Sequence, residues 1–439
     1  MKLAWTVTLA LAVSLTACKK DDAPQAPEAG KGPAKAPAAL PDKAPEAKAT
    51  DQPTTAPETA EPPLDKATVV LWHAYRAEEQ RALEQLVDAY NAQGGPVTVE
   101  AIPVPYDAFV DKIAVTIPRG NGPDLFIFAH NMIGDWVAAG LIEPVNQWAP
   151  PTLLGRFIPD TVKALVYKKS LYGLPLAFKS LVLFYNKALI AEPPATLDDL
   201  IAKAKANTGG ERWGLAFEAA KLYQHAPLLH AKGGAVFDEA GAPALDSAGS
   251  VAAAEVARSL VKEHGVVPSG MTGFMVTSLF NEGKAAMAIS GPWFRGEIDP
   301  AISYGVAVLP SVDGAPMRPF LGSEALYVSA KSAHKREAFD VAKFLTSDAS
   351  ALVRATVGKQ PVANRATYDD PAVKGDPNMP VFFEQSKAAV IMPSTPEMQV
   401  VWSTYDNALN KVIFGDGDVR ATFGDAQRKV QGDIEKIQR

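Results

Sequence analysis

A single cysteine, Cys18, stands in a chain of 439 residues. That scarcity excludes an intramolecular disulfide and a thiolate metal cluster. Catalytic signatures are equally scarce. No Gly-x-Ser-x-Gly elbow, His-Glu-x-x-His pair or P-loop occurs, and Gly120-Asn-Gly122 lacks the third glycine of a dinucleotide fingerprint. Asp416-Gly-Asp418 is followed by too few acidic residues to read as a calcium loop. No basic stripe with interleaved aromatics is present, and the formal net charge is −6, which argues against a nucleic-acid partner. The sequence therefore points to a protein without metal, cofactor or catalytic centre.

What is present begins with Lys2, an apolar run over residues 3–15, and Leu15-Thr-Ala-Cys18. The run is too short to cross a bilayer as a mature helix and reads as a secretory signal. Leu-Thr-Ala-Cys looks like a bacterial lipobox. Residues 1–17 are then a signal peptide and Cys18 a lipidated first residue, anchoring an exported protein that faces the periplasm or cell exterior. Residues 18–66 are rich in Ala, Pro, Lys, Glu, Asp and Thr with almost no large apolar side chain, so they cannot offset their ordering entropy. They form a disordered tether reaching at most ~150 Å at about 3.1 Å per residue.

The remainder, about 370 residues, suffices for two domains sharing a cleft. Thr68-Val-Val-Leu-Trp72 reads as a strand. Leu83, Leu86, Val87 and Tyr90 then recur at helical spacing before Gly94-Gly95. A second strand over 97–102, a helix over 108–117, and Leu125-Phe-Ile-Phe-Ala129 continue the rhythm. Strand and helix alternating in this way predict a mostly parallel sheet flanked by helices. Helices are also expected at 134–139, around Val256–Val261, at 337–346 and over the tail that carries Phe423, Val430, Ile434 and Ile437. The most informative stretch follows Phe280-Asn-Glu-Gly283. A short buried strand over 286–289 runs into Ser290-Gly-Pro292, where glycine's backbone freedom and proline's missing donor force a turn that presents Trp293.

Phe280-Asn-Glu-Gly-Lys-Ala-Ala-Met, Gly-Pro-Trp293 and Tyr304-Gly-Val-Ala-Val-Leu-Pro together resemble the carbohydrate-binding solute receptors of ABC importers, especially maltose-binding proteins. Gly122-Pro-Asp, followed by Phe126-Ile-Phe-Ala-His-Asn131, and Tyr172-Gly-Leu-Pro…Tyr185-Asn-Lys187 extend the likeness from Thr68 to the end. The resemblance implies a two-lobed periplasmic-binding-protein α/β fold joined by several crossings. Lobe 1 would be 67–177 with 326–373, and lobe 2 would be 178–325 with 374–439. It also implies a monomer that captures an oligosaccharide by hinge closure and delivers it to permease subunits in the membrane.

Sugars need aromatic platforms and a rim of donors and acceptors. By likeness the platforms fall on Phe128, Tyr223, Trp293 and Trp402. Phe128 fits the core equally well, and Trp293 also fits a loop plug. Polar candidates are His73, Tyr75, Arg76, His130, Asn131, Lys179, Arg295 and Glu324. Arg76 also fits a solvated helix start, and Lys179 a partner for a carboxylate at the hinge. Two departures concern the ligand. An Asp-Arg pair of the family reads Asn131-Met132, and two glutamate positions read Lys179 and Lys221, which replaces acceptors by donors. Either the lysines pair with Glu324 or Glu218 and leave a neutral-sugar site, or they await an anionic solute. A sensor or adhesin, and a carbohydrate-active enzyme on the same cleft, are the remaining alternatives. The enzyme lacks a second cleft acid beside Glu324.

Overall fold

The computed structural model describes residues 62–438; the signal segment, Cys18 and most of the tether lie outside them. The opening strand–helix rhythm folds as its pattern demands. Strand β1 (Ala67–His73) leads into the helix Ala77–Asn91, whose Ala82, Leu83, Leu86, Val87 and Tyr90 form one buried face. Glu78 and Glu79 lie in its first turn, where the helix dipole favours acids. Strand β2 (Val97–Pro103), the helix Tyr106–Thr116 and strand β3 (Leu125–Ala129) follow. β1 pairs in parallel with β2, from Ala67 opposite Val97 to His73 opposite Pro103, and with β3, Leu71 opposite Leu125.

The chain then leaves this sheet along β4 (Leu174–Lys179) and enters a second one. That sheet contains β5 (Val182–Asn186), β6 (Trp213–Ala216), β7 (Ala285–Ser290) and β8 (Tyr304–Ala307), in the order β8-β5-β7-β6. The return strand β9 (Phe320–Val328) rejoins the first sheet, with the short β10 (Val390–Ile391) beside its start.

The sheets are mixed, which corrects the expectation of mostly parallel ones. β9 runs antiparallel to both β3 and β4, Glu324 lying opposite Ala129 and Ala177. In the second sheet β5 is antiparallel to β7 and β8, and only β6–β7 is parallel. The physical reason is the route of the chain. A strand that leaves one sheet and a strand that returns to it travel in opposite directions, so when they pair they must be antiparallel.

Three buried clusters accompany this route. One lies under the first sheet and includes Phe126, Trp136 and Tyr327. Another lies under the second, where the helices Ala248–Lys262, Glu397–Ile413 and Val419–Ile437 pack together. The third joins Phe178, Phe184, Phe294, Val362 and Phe382 near the crossings. A third crossing runs beside β4, since the Phe178 N–H donates to the Pro361 carbonyl at 2.9 Å.

Candidate functional site

The ends of β1, β3, β4 and β9 open onto a cleft of about 1010 Å³ that faces the turn after β7. β1 and the helix start deliver Tyr75, Arg76, Glu78 and Glu79, while β3 delivers Phe128 and, just beyond it, Asn131. Lys179 ends β4 and Glu324 sits in β9. The opposite wall carries Tyr223, Trp293, Arg295, Glu297, Tyr304 and Trp402.

Ten of the twelve residues singled out from the sequence therefore reach one cleft: Tyr75, Arg76, Phe128, Asn131, Lys179, Tyr223, Trp293, Arg295, Glu324 and Trp402. His73 and His130 do not line it. His73 is buried at the end of β1, and its Nδ1 accepts the Tyr75 N–H at 3.2 Å. His130 is wholly buried as well, with Nε2 2.7 Å from the Met392 carbonyl and Nδ1 accepting the Ser323 N–H at 3.0 Å. Burial pulls its pKa down to about 4, so it is a neutral imidazole that ties three chain segments together. Both histidines stand in strand-end sequences that suit a cleft wall, but their side chains point into the fold.

The aromatic wall has a definite construction. Trp293 stands in the 3-10 turn Pro292–Gly296, is 37% exposed, and lies 6.2 Å from Tyr223 between ring centres. Beneath, the buried Phe320 touches both Tyr223 at 6.3 Å and Trp402 at 6.1 Å. Gly291 is required for a reason other than the backbone angle expected from sequence. Its φ is −98°, open to any residue, but a Cβ there would fall inside the Trp293 ring. On the facing side Phe128 is only 5% exposed, sandwiched between Phe109 at 4.9 Å and Tyr106 at 5.1 Å. Tyr106, 57% exposed, is the ring that this stack offers to the cleft.

The charge at the centre of the cleft is internally matched. Lys179 Nζ lies 2.8 Å from Glu79 and 3.7 Å from Glu324, and Tyr75 donates its hydroxyl to Glu324 at 2.6 Å. Burial opposes the Lys179 charge, but the Glu324 and Glu79 carboxylates outweigh it and hold the pKa above its ordinary value. Glu324 is pushed the other way: burial raises its pKa, Lys179 restrains it, and Glu79 adds to the rise. Arg295 is committed to Asp376 at 2.5 Å. Lys221 lies outside the cleft and pairs with Asp406 at 3.1 Å rather than with Glu218. Across the lining residues, Arg76, Lys179, Arg295 and Lys359 face Glu78, Glu79, Glu297 and Glu324, so the formal charges cancel.

Glu79 and Tyr106 escaped the sequence reading. Glu79 belongs to the same strand-to-helix junction as Tyr75 and Arg76, one helical turn on, and that adjacency is the signal. Tyr106 follows Val104-Pro105 at the end of β2, the one parallel strand end left unsearched.

Two α/β layers of this kind, with strands crossing between them and an aromatic, polar cleft at the crossings, have the architecture of a solute receptor. Residues 85–381 match the model of the bacterial extracellular solute-binding proteins, and the chain belongs to that family. A maltotriose-binding protein of Pyrococcus abyssi is 30% identical over 81% of this chain and 79% of its own length. A galactooligosaccharide-binding protein of Bacillus subtilis is 28% identical over 83% and 89%. The crystal structure of a cyclo/maltodextrin-binding protein complexed with maltotetraose superposes with a TM-score of 0.76 at 31% identity, covering 84% of this chain and 97% of that one. The fold is accordingly that of the periplasmic binding proteins.

Proposed function

We propose that this protein is the ligand-capturing component of an ABC importer for a neutral oligosaccharide of linked hexoses. The sugar is held between a lobe comprising 67–177 with 326–373 and a lobe comprising 178–325 with 374–439, and it is delivered by hinge closure. One observation carries the choice of a neutral ligand: Lys179, the cation at the centre of the cleft, is bracketed by two carboxylates of the cleft itself. An anionic solute binding at Lys179 would have to displace an internal counterion. A neutral sugar finds stacking surfaces in Trp293, Tyr223, Trp402 and Tyr106, and acceptors in Glu79 and Glu324. The relatives named for maltotriose and galactooligosaccharide support both chemistries of neutral hexose. Tyr75, Arg76, Asn131, Lys179 and Glu324 would bind hydroxyls, whereas Arg295 acts on the wall and Phe128 underpins Tyr106. The protein works as a monomer, held at the membrane by lipid on Cys18.

Calorimetry with maltotriose, a galactooligosaccharide and an oligogalacturonate, each at low and high salt, tests the reading. A neutral sugar should bind with an affinity that barely changes with ionic strength. Tight oligogalacturonate binding that weakens steeply with salt would overturn neutrality, and silence towards all three would overturn the saccharide. Cys18→Ser should release the protein from the membrane fraction.

A further inference from the structure

Trp293 is a large ring on a five-residue turn, 37% exposed, with the Tyr223 ring 6.2 Å away and tilted by 46°. Its orientation depends on how the turn is held. Three fastenings are present. Gly291 leaves the space over which the indole folds back. Phe294, 1% exposed, packs edge-on against Phe184 at 4.9 Å and Phe280 at 5.4 Å. The third is Arg295, whose Nη2 meets Asp376 Oδ2 at 2.5 Å while Nη1 donates to the Lys359 carbonyl at 3.5 Å.

Asp376 does not line the cleft. Its second oxygen, Oδ1, accepts the Asn378 N–H at 2.9 Å, which orients the carboxylate from the start of the helix Met379–Ser386. That helix is anchored in turn by Phe382, 6.3 Å from Phe184. Burial works to raise the Asp376 carboxyl, yet the adjacent guanidinium holds it below its usual range, so the pair stays ionised at neutral pH. The Arg295 and Asp376 side chains are 7% and 18% exposed, so the pair is largely withdrawn from solvent.

We infer that Asp376 is a positioning residue for sugar capture: through Arg295 it clamps the Pro292–Gly296 turn and presets the Trp293 face. The inference rests on the reading of Trp293 as a sugar platform. A ring already held in its bound orientation loses less freedom when ligand arrives, and affinity gains by that difference. A planar guanidinium that contacts two groups at once fixes a turn in a way that a lysine ammonium cannot.

The test uses the full chain, maltotriose as probe, and the variants Asp376→Asn, Trp293→Ala and their combination. Asp376→Asn should weaken maltotriose about tenfold, but less than about twofold when Trp293 is already alanine, since residues acting through one another are non-additive. Equal losses in both backgrounds would show that Asp376 acts through the fold at large and would overturn the inference. A ligand-free readout separates this from the sugar reading. The acrylamide quenching of Trp293, taken as the difference from Trp293→Phe, should rise about twofold in Asp376→Asn as the ring loosens; an unchanged constant overturns the clamp. If Trp293→Ala binds maltotriose as the parent does, the platform reading fails while quenching still decides the clamp. Should Asp376→Asn not fold, Arg295→Lys is read by the same two measurements, with the same expected and overturning results.

Discussion

Replacing Lys179 by methionine probes the centre of the cleft. The substitution keeps most of the aliphatic stem and removes a charge that lies 2.8 Å from Glu79 and 3.7 Å from Glu324. At an effective dielectric constant near 20, a contact of about 4 Å is worth roughly 4 kcal/mol before desolvation is subtracted. Breaking a fully buried pair costs about 3–5 kcal/mol. These three side chains retain 18%, 26% and 14% exposure, so solvent relieves part of the penalty. A loss of about 2–3 kcal/mol follows for neutral pH. The dependence on pH is more discriminating than the size. Without Lys179, Glu324 loses the influence that restrains its pKa, which already lies above its ordinary 4.5. A carboxyl raised in the folded state binds a proton that the unfolded chain has released, so the variant loses stability as pH rises from about 4.5 through the elevated value. Urea unfolding followed by tryptophan fluorescence should therefore show a larger deficit at pH 8 than at pH 5. An equal deficit at both, or a smaller one at pH 8, would refute the bracketed-cation account.

Three further outcomes follow from the geometry. His225 is wholly buried, neither ring nitrogen has a hydrogen-bond partner among the described residues, and burial pulls its pKa to about 3. Because the unfolded chain protonates first on acidification, His225 withdraws about 2 kcal/mol of stability between pH 7.5 and 5. His225→Leu should lose that slope, and parallel unfolding curves for parent and variant would disprove it. Gly291→Ala should weaken sugar binding about tenfold by evicting the Trp293 ring, at a cost in stability of about 1–3 kcal/mol; calorimetry with unchanged affinity would remove the ring from its seat. Tyr106→Ala should cost about 1–2 kcal/mol of binding with little effect on the melting temperature. Phe128→Ala should do the reverse, losing about 3–5 kcal/mol of stability, and a matched pair of effects would mean that the two rings do not divide the work as described.

The parallel part of the fold was legible because local chemistry decides it. Leu83, Leu86, Val87 and Tyr90 announce their helix by spacing alone, and β1 to β3 inherit their direction from the helices between them. The directions of β4 and β9 were not legible, since they depend on a partner some 145 positions away along the chain, as between Lys179 and Gly322. The cleft divides in the same way. Trp293 and Trp402 sit in turns and at a helix surface where their types stand out. Phe128 and Tyr106 have interchangeable sequence credentials, and only the stack against Phe109 shows which ring is covered. Lys179 was identifiable as a departure from a familiar pattern, but its first counterion, Glu79, comes from a helix start a hundred residues earlier. Gly291 was flagged as a turn residue, and its true task, making room for an indole, is a property of three-dimensional space.

The insertion of the second sheet between β4 and β9 has a consequence for biosynthesis. β9 lies between β3 and β4, pairing Glu324 with both Ala129 and Ala177. Until the ribosome has passed Phe320, those two strands have no neighbour to join them, and the first sheet stays incomplete. The strands of this sheet are thus made in two instalments, β1 to β4 early and β9 about 140 residues later, so the sheet is completed late in synthesis. A chain terminated before Phe320 would lack the strand that joins β3 to β4, and so would carry its first sheet as two unconnected edges.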